Sequence, residues 1–169
     1  ALAWMKAENI YIDTYTFIDN TADYSGGAIY VGVGSKNCTV FNCIFTGNNV
    51  TSTSSGHGGA IEWYADTGRV LSSTFRNNNA YTGGAIYVGS DQTAGSGHIN
   101  ITDSGFIRNA AITLGGAIDL VASSVAVNHS YFRENTAEYG GAIFAGGTGE
   151  NNYISSSVFM SNNATFRGG

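Results

Sequence analysis

Two carboxylates occupy the positions best placed for chemistry. Glu62 stands inside Ile61-Glu62-Trp63 and Asp119 inside Ile118-Asp119-Leu120, each between two apolar residues. The same slot holds Tyr30 in Ile29-Tyr30-Val31, Tyr87 in Ile86-Tyr87-Val88 and Phe144 in Ile143-Phe144-Ala145. Two carboxylates on one face can serve as the acid and base of glycoside hydrolysis. Aromatic rings beside carboxylates also suit a binding strip, the rings stacking on sugar and the carboxylates accepting hydroxyl hydrogen bonds. The third reading is plain: a mixture of charge and aromatic rings on a face that water can reach. His57, His98 and His129 do not share a context, and the Asp spacing matches no calcium loop, so neither metal nor cofactor is expected. Cys38 and Cys43, five residues apart, read as a buried thiol filling a small inward position or as a disulfide pair. Asn37, Asn49, Asn100, Asn128 and Asn163 open Asn-x-Ser/Thr sequons and are possible glycosylation sites.

The slot recurs because the chain repeats one phrase six times. Phe, Asn three residues on, a small residue two later and then Gly-Gly-Ala-Ile is the pattern, fullest from Phe132 to Phe144. Its Phe positions are Phe17, Phe45, Phe75, Phe106, Phe132 and Phe159, spaced 28, 30, 31, 26 and 27 residues apart. Its Asn positions are Asn20, Asn48, Asn78, Asn109, Asn135 and Asn162. A period of this size marks a stacked repeat whose units each need a neighbour to bury their apolar face.

The residues between the motifs alternate as strands do. Five positions before each Phe stands a branched aliphatic residue (Ile12, Val40, Val70, Ile101, Val127, Ile154), and two before it a mostly small one, Cys43 and Ser73 among them. With 24 Gly, no Pro and no long apolar spacing of three and four, paired helices are disfavoured. The fold class expected is all-β: a single-stranded parallel β-helix, a solenoid of about six coils with two or three sheets. At about 4.8 Å per coil it would be a rod about 29 Å long. The six Phe form an inward stack, and the six Asn a corner ladder in which Asn takes the left-handed backbone and passes amide hydrogen bonds between coils. Gly-Gly marks a second corner.

Cutting before each Ala-Ile gives six repeats in one domain: 1–27, 28–59, 60–84, 85–116, 117–141 and 142–169. The chain opens on Ala1-Leu2, in phase with Ala60-Ile61, and closes on Gly168-Gly169, in phase with the residues before it. Neither end carries a recognisable cap, so the expectations are further repeats of a longer chain or an end-to-end contact between copies through Ala1, Leu2, Gly168 and Gly169. A net charge of −5 with seven Lys and Arg disfavours a nucleic-acid partner, and no apolar run is long enough for a membrane span. The variable excursions, Gly89 to His98 and Val50 to His57, are where individual binding character would reside.

The pairing of Phe-x-x-Asn with Gly-Gly-Ala-Ile over all six units resembles the passenger domains of the chlamydial polymorphic membrane proteins and the adhesin-like right-handed β-helix proteins of methanogenic archaea. The resemblance implies a right-handed coil and an extracellular or cell-surface stalk with an adhesive role, meeting a cell-surface glycan or protein. Parallel β-helices also include pectate lyases and polygalacturonases, and Gly56-His57-Gly58 is similar to a polygalacturonase motif. The companion motifs Asn-Thr-Asp, Asp-Asp and Arg-Ile-Lys are missing, so the chain is expected not to be an enzyme. A filament subunit and a polysaccharide-binding or polysaccharide-degrading β-helix are the alternatives.

Overall fold

The computed structural model describes residues 1–90, 98–121, 124–146 and 152–169. These residues form a parallel β-solenoid of four six-stranded sheets, with no helix among them. The first sheet stacks Leu2–Trp4, Ile29–Val31, Ile61–Trp63, Ile86–Val88, Ile118–Leu120 and Ile143–Ala145. The second stacks Tyr11–Asp13, Cys38–Phe41, Gly68–Leu71, His98–Thr102, Ser124–Asn128 and Tyr153–Ser155. The third stacks Thr16–Ile18, Ile44–Thr46, Thr74–Arg76, Gly105–Ile107, Tyr131–Arg133 and Val158–Met160. The fourth stacks Thr21–Ala22, Asn49–Val50, Asn79–Thr82, Ala110–Leu114, Thr136–Tyr139 and Asn163–Arg167. Four sheets replace the two or three expected, because a left-handed corner between the aliphatic and Phe positions, at Thr14 and its equivalents, breaks what the alternation alone reads as one strand.

All strand pairs are parallel and join like residues of successive coils. Phe17, Phe45, Phe75, Phe106, Phe132 and Phe159 share one register column. Their rings stack with centroids 4.6 to 4.9 Å apart and nearly parallel planes. The coil repeat imposes this geometry, although ring electrostatics favour offset or edge contacts. Burial decides the balance, at about 1.5–3 kcal/mol per ring. Phe45, Phe75, Phe106 and Phe132 are fully buried, whereas Phe159 in the last coil is 47% exposed. The aliphatic column runs beside them from Ile12 to Val127 and is likewise buried, with Ile154 exposed.

The Asn ladder carries the corner. Asn48 Nδ2 donates to Asn78 Oδ1 at 2.9 Å and to the Phe17 carbonyl at 3.1 Å. Asn78 Oδ1 also accepts the Asn48 backbone N–H at 3.0 Å. The arrangement repeats through Asn109 and Asn135 to Asn162, so each buried amide is satisfied by the coils on both sides. The left-handed residue is not the ladder Asn, as the sequence suggested, but the one before it: Asp19, Gly47, Asn77, Arg108, Glu134 and Ser161 have φ between 50° and 67°. A side chain that must point inward to its neighbours cannot also make the turn, so the preceding residue reverses the chain.

A second left-handed corner precedes the small inward column, at Thr14, Asn42, Ser72, Asp103, His129 and Ser156. In that column Ser73, Ser104 and Ser130 accept the backbone N–H of the coil before them. Cys43 takes a Ser position as a buried free thiol, and Cys38 is also free and buried. Burial raises both thiol pKa values. Tyr15 departs from the column and is 62% exposed.

At the Gly-Gly corner neither glycine leaves room for a side chain, and the first also has a left-handed backbone. The first has positive φ, as at Gly83 with φ 62°. The second has no room for a side chain: a Cβ on Gly84 would fall on the carbonyl oxygens of Gly116 and Ala110. The ends present Ala1, Leu2, Gly168 and Gly169 as exposed residues.

Candidate functional site

The slot residues meet in one column of the first sheet. Register aligns Ala3, Tyr30, Glu62, Tyr87, Asp119 and Phe144 across six coils. Their side chains alternate with the inward Ile and Val columns and so leave the solenoid on its outer face. That face was expected to meet water, and at its centre it does not. Glu62 and Asp119 are each 1% exposed and Tyr87 is 9% exposed, while Tyr30 and Phe144 are partly buried.

Side chains from two other segments provide the cover. His57 ends the 51–57 excursion and is held by parallel bridges to Ser25 and Thr82 in the coils on either side. Its ring lies on Tyr87 with centroids 4.3 Å apart and planes 9° apart. Its Nδ1 is 3.0 Å from Glu62 Oε1, the same oxygen that accepts the Tyr64 hydroxyl at 3.0 Å. Tyr64 sits edge-on to Tyr87 and tilted against Tyr30. Gly89, beside Tyr64 and Tyr87, keeps that space free, since a Cβ there would meet both rings.

The electrostatics follow from the cover. Burial pushes the Asp119 carboxyl up to about 7, opposed by the neighbouring Thr82 hydroxyl and by His57. Burial and then the Asp119 and Glu62 charges push Tyr87 up to about 12. Tyr64 and Tyr30 are raised too, by burial first and by Glu62 second. Glu62 Oε2 and Asp119 Oδ1 have no hydrogen-bond partner among the described residues. The cluster thus holds two buried carboxyls beneath a partly exposed imidazole.

The sequence brought Tyr30, Glu62, Tyr87, Asp119 and Phe144 into one set but missed Tyr64 and Thr82 and gave His57 to a loop. One signal for Tyr64 was present. The position after the slot's second apolar residue is Gly32, Gly89 or Gly146 in three coils, and a tyrosine there must lie over the column. At the far end of the face an apolar groove of about 470 Å³ is lined by Leu114, Tyr139, Ile143, Phe144, Ala145 and Arg167. The longest excursion, 89–98, lies largely outside the described residues. No group of three or more His, Cys, Asp or Glu residues able to hold a metal occurs among the described residues.

The sequons are distributed around the rod. Asn37, Asn100 and Asn163 are exposed, and Asn49 and Asn128 are half-buried. Asn37 Nδ2 donates to Asn9 Oδ1 at 2.7 Å, and Asn49 Oδ1 accepts from Asn79 at 2.9 Å. Among the described residues, no helix is long and apolar enough to cross a membrane.

Comparison with known proteins places this geometry. Residues 14–32, 72–89 and 129–146 match the Chlamydia polymorphic membrane protein repeat. Each matched stretch starts at a left-handed corner, passes the Phe and Asn ladders and ends just beyond the slot. The chain is 30% identical over 148 residues to the Dictyostelium discoideum metabotropic glutamate receptor-like protein R, covering 87% of this chain and 9% of that protein. It is 41% identical over 69 residues to the Dictyostelium discoideum transmembrane domain-containing protein DDB_G0287209, covering 39% of this chain and 4% of that protein. The chain thus spans less than a tenth of the length of either relative. No solved structure matches it. The chain is a parallel β-solenoid in which three coils match the Chlamydia polymorphic membrane protein repeat.

Proposed function

We propose that the chain is an extracellular module of a surface protein, a stalk that displays side chains for adhesion and performs no turnover. The observation that carries this reading is the polymorphic membrane protein repeat in three coils of one continuous solenoid. Support comes from where the residues are invested. The ladders satisfy buried amides and rings along the rod, and of the carboxylates best suited to acid and base work, Glu62 is held by His57 and Tyr64 and Asp119 is equally buried. Relatives whose names describe a receptor-like and a transmembrane protein are consistent with display at a membrane surface. Asn37, Asn100 and Asn163 are the exposed sequons at which an extracellular chain would carry glycans.

The test has two arms. Antibody against residues 1–169 should label intact, unpermeabilised cells of the native source, and the isolated chain should bind cell surfaces saturably. No product should form from a panel of neutral and uronate polysaccharides. Labelling only after permeabilisation would sink the surface reading, and product formation stopped by Glu62→Gln or Asp119→Asn would replace it with the hydrolase.

A further inference from the structure

The third sheet carries a concentration of cations that the acidic composition does not foreshadow. Of seven Lys and Arg in a chain of net charge −5, three converge on one groove of about 460 Å³, lined by Arg76, Asn77, Ile107, Arg108, Tyr131, Arg133 and Met160. Arg76, Ile107 and Arg133 occupy one register column in successive coils, which places the two guanidinium stems about 10 Å apart along the rod. All three arginines are exposed.

The groove is organised by charge at a strained corner. Arg108 and Glu134 hold left-handed φ values of 53° and 57°, in a column otherwise filled by Asp, Gly, Asn and Ser. Long side chains are uncommon there, and such outliers concentrate at functional positions. Glu134 accepts from Arg108 Nε through one oxygen and lies 3.3 Å from Arg133 Nε through the other. Both guanidiniums are thereby fixed in orientation while their remaining N–H groups stay available. Arg76 has no ion-pair partner among the described residues. The other titratable groups along this sheet's corners are Asp19, Asp103 and His129. Tyr131 crosses to the coil before it, where Gly105 leaves space for the ring, and is 42% exposed.

We propose that this face of the third sheet is a binding site for an acidic glycan. Arg76, Arg108 and Arg133 take its carboxylate or sulfate groups in bidentate fashion, and Tyr131 supports a sugar ring. The proposal rests on the surface-module reading, since that is where such a polymer is met. Three arginines on a chain of net negative charge, two of them sharing Glu134, are too few for a polyphosphate track.

The test measures binding of the whole chain to polygalacturonate, to dextran sulfate and to neutral dextran. Binding to at least one acidic polymer and not to dextran is expected, and the polymer preferred identifies carboxylate or sulfate as the group recognised. Arg76→Gln combined with Arg133→Gln should raise Kd at least tenfold, and Tyr131→Ala should weaken binding without changing its salt dependence. Lys36→Gln combined with Arg69→Gln, remote cations of the second sheet and its corner, should leave Kd within twofold. An unchanged melting temperature in each variant excludes unfolding as the cause. The proposal is overturned by no binding to either acidic polymer, by equal loss in the Lys36/Arg69 variant, or by equal affinity for duplex DNA. Cell binding that survives the Arg76/Arg133 substitutions overturns this site alone and leaves the surface module standing. Absence of the native protein from the cell surface removes the module reading, whatever the glycan result.

Discussion

Asp119 shows how one carboxyl can set the pH response of a rod. Its pKa is about 7 in the folded chain against an ordinary 3.8, so the folded state holds a proton that the unfolded state releases. The stabilisation is therefore complete below about pH 4 and is lost as pH rises to about 7. Asp119→Asn should flatten the melting temperature between pH 4 and pH 8 and raise it at the upper end, read by circular dichroism. A variant with the native slope would show that the carboxyl is solvated after all. His57 covers the same cluster and partners the buried Glu62. His57→Ala should destabilise by about 1–3 kcal/mol, the cost of leaving a buried polar group unpaired. It should also expose Tyr87, read as increased quenching of tyrosine fluorescence.

At the scale of the element, ladders and corners carry the fold, and equivalent residues differ in weight with the coils around them. Asn109→Ala removes a donor to Asn135, an acceptor for Asn78 and a bond to the Phe75 carbonyl. Asn162→Ala leaves a similar gap with a coil on one side only. The interior change should cost about 2–4 kcal/mol in urea unfolding and the terminal one less than half of that. Equal losses would contradict a ladder that depends on both neighbours. Gly84→Ala tests the Gly-Gly corner. Its Cβ must displace the Gly116 and Ala110 carbonyls, both backbone, so the soluble folded yield should fall sharply. Gly83→Ala combines a positive φ with a Cβ 2.5 Å from the Ile86 carbonyl oxygen, so its soluble folded yield should fall as well.

Across the whole molecule, stability is a sum over contacts between neighbouring coils, since each coil touches only the ones above and below. Amide hydrogen exchange should therefore be slowest in the central coils around Phe75 and Phe106. It should quicken toward Leu2 and toward Val158 to Met160, where large apolar side chains stand exposed. Uniform protection from end to end would mean that the rod opens all at once. The same geometry makes the outer faces independent, so the Glu62–Asp119 cluster on the first sheet and the arginine groove on the third can be altered separately.

The repeat, its strand character and its corners were legible in the sequence, because a coil that must bury one face against its neighbours can do so only with like residues at like positions. Phe106, Asn109 and Gly115-Gly116 announce a coil wherever they recur, and register follows from their spacing. The charge of a single outward residue was legible too, but not its surroundings. Alternation determines that Glu62 and Asp119 leave the core; it does not determine that His57 and Tyr64 fold back over the same face. The left-handed turns at Arg108 and Glu134 likewise became visible only when successive coils brought the two side chains together. Repetition in the sequence specified the rod, because burial acts between equivalent positions. The sites on its surface depend on residues that break the repeat, and only the tertiary structure shows which of those meet.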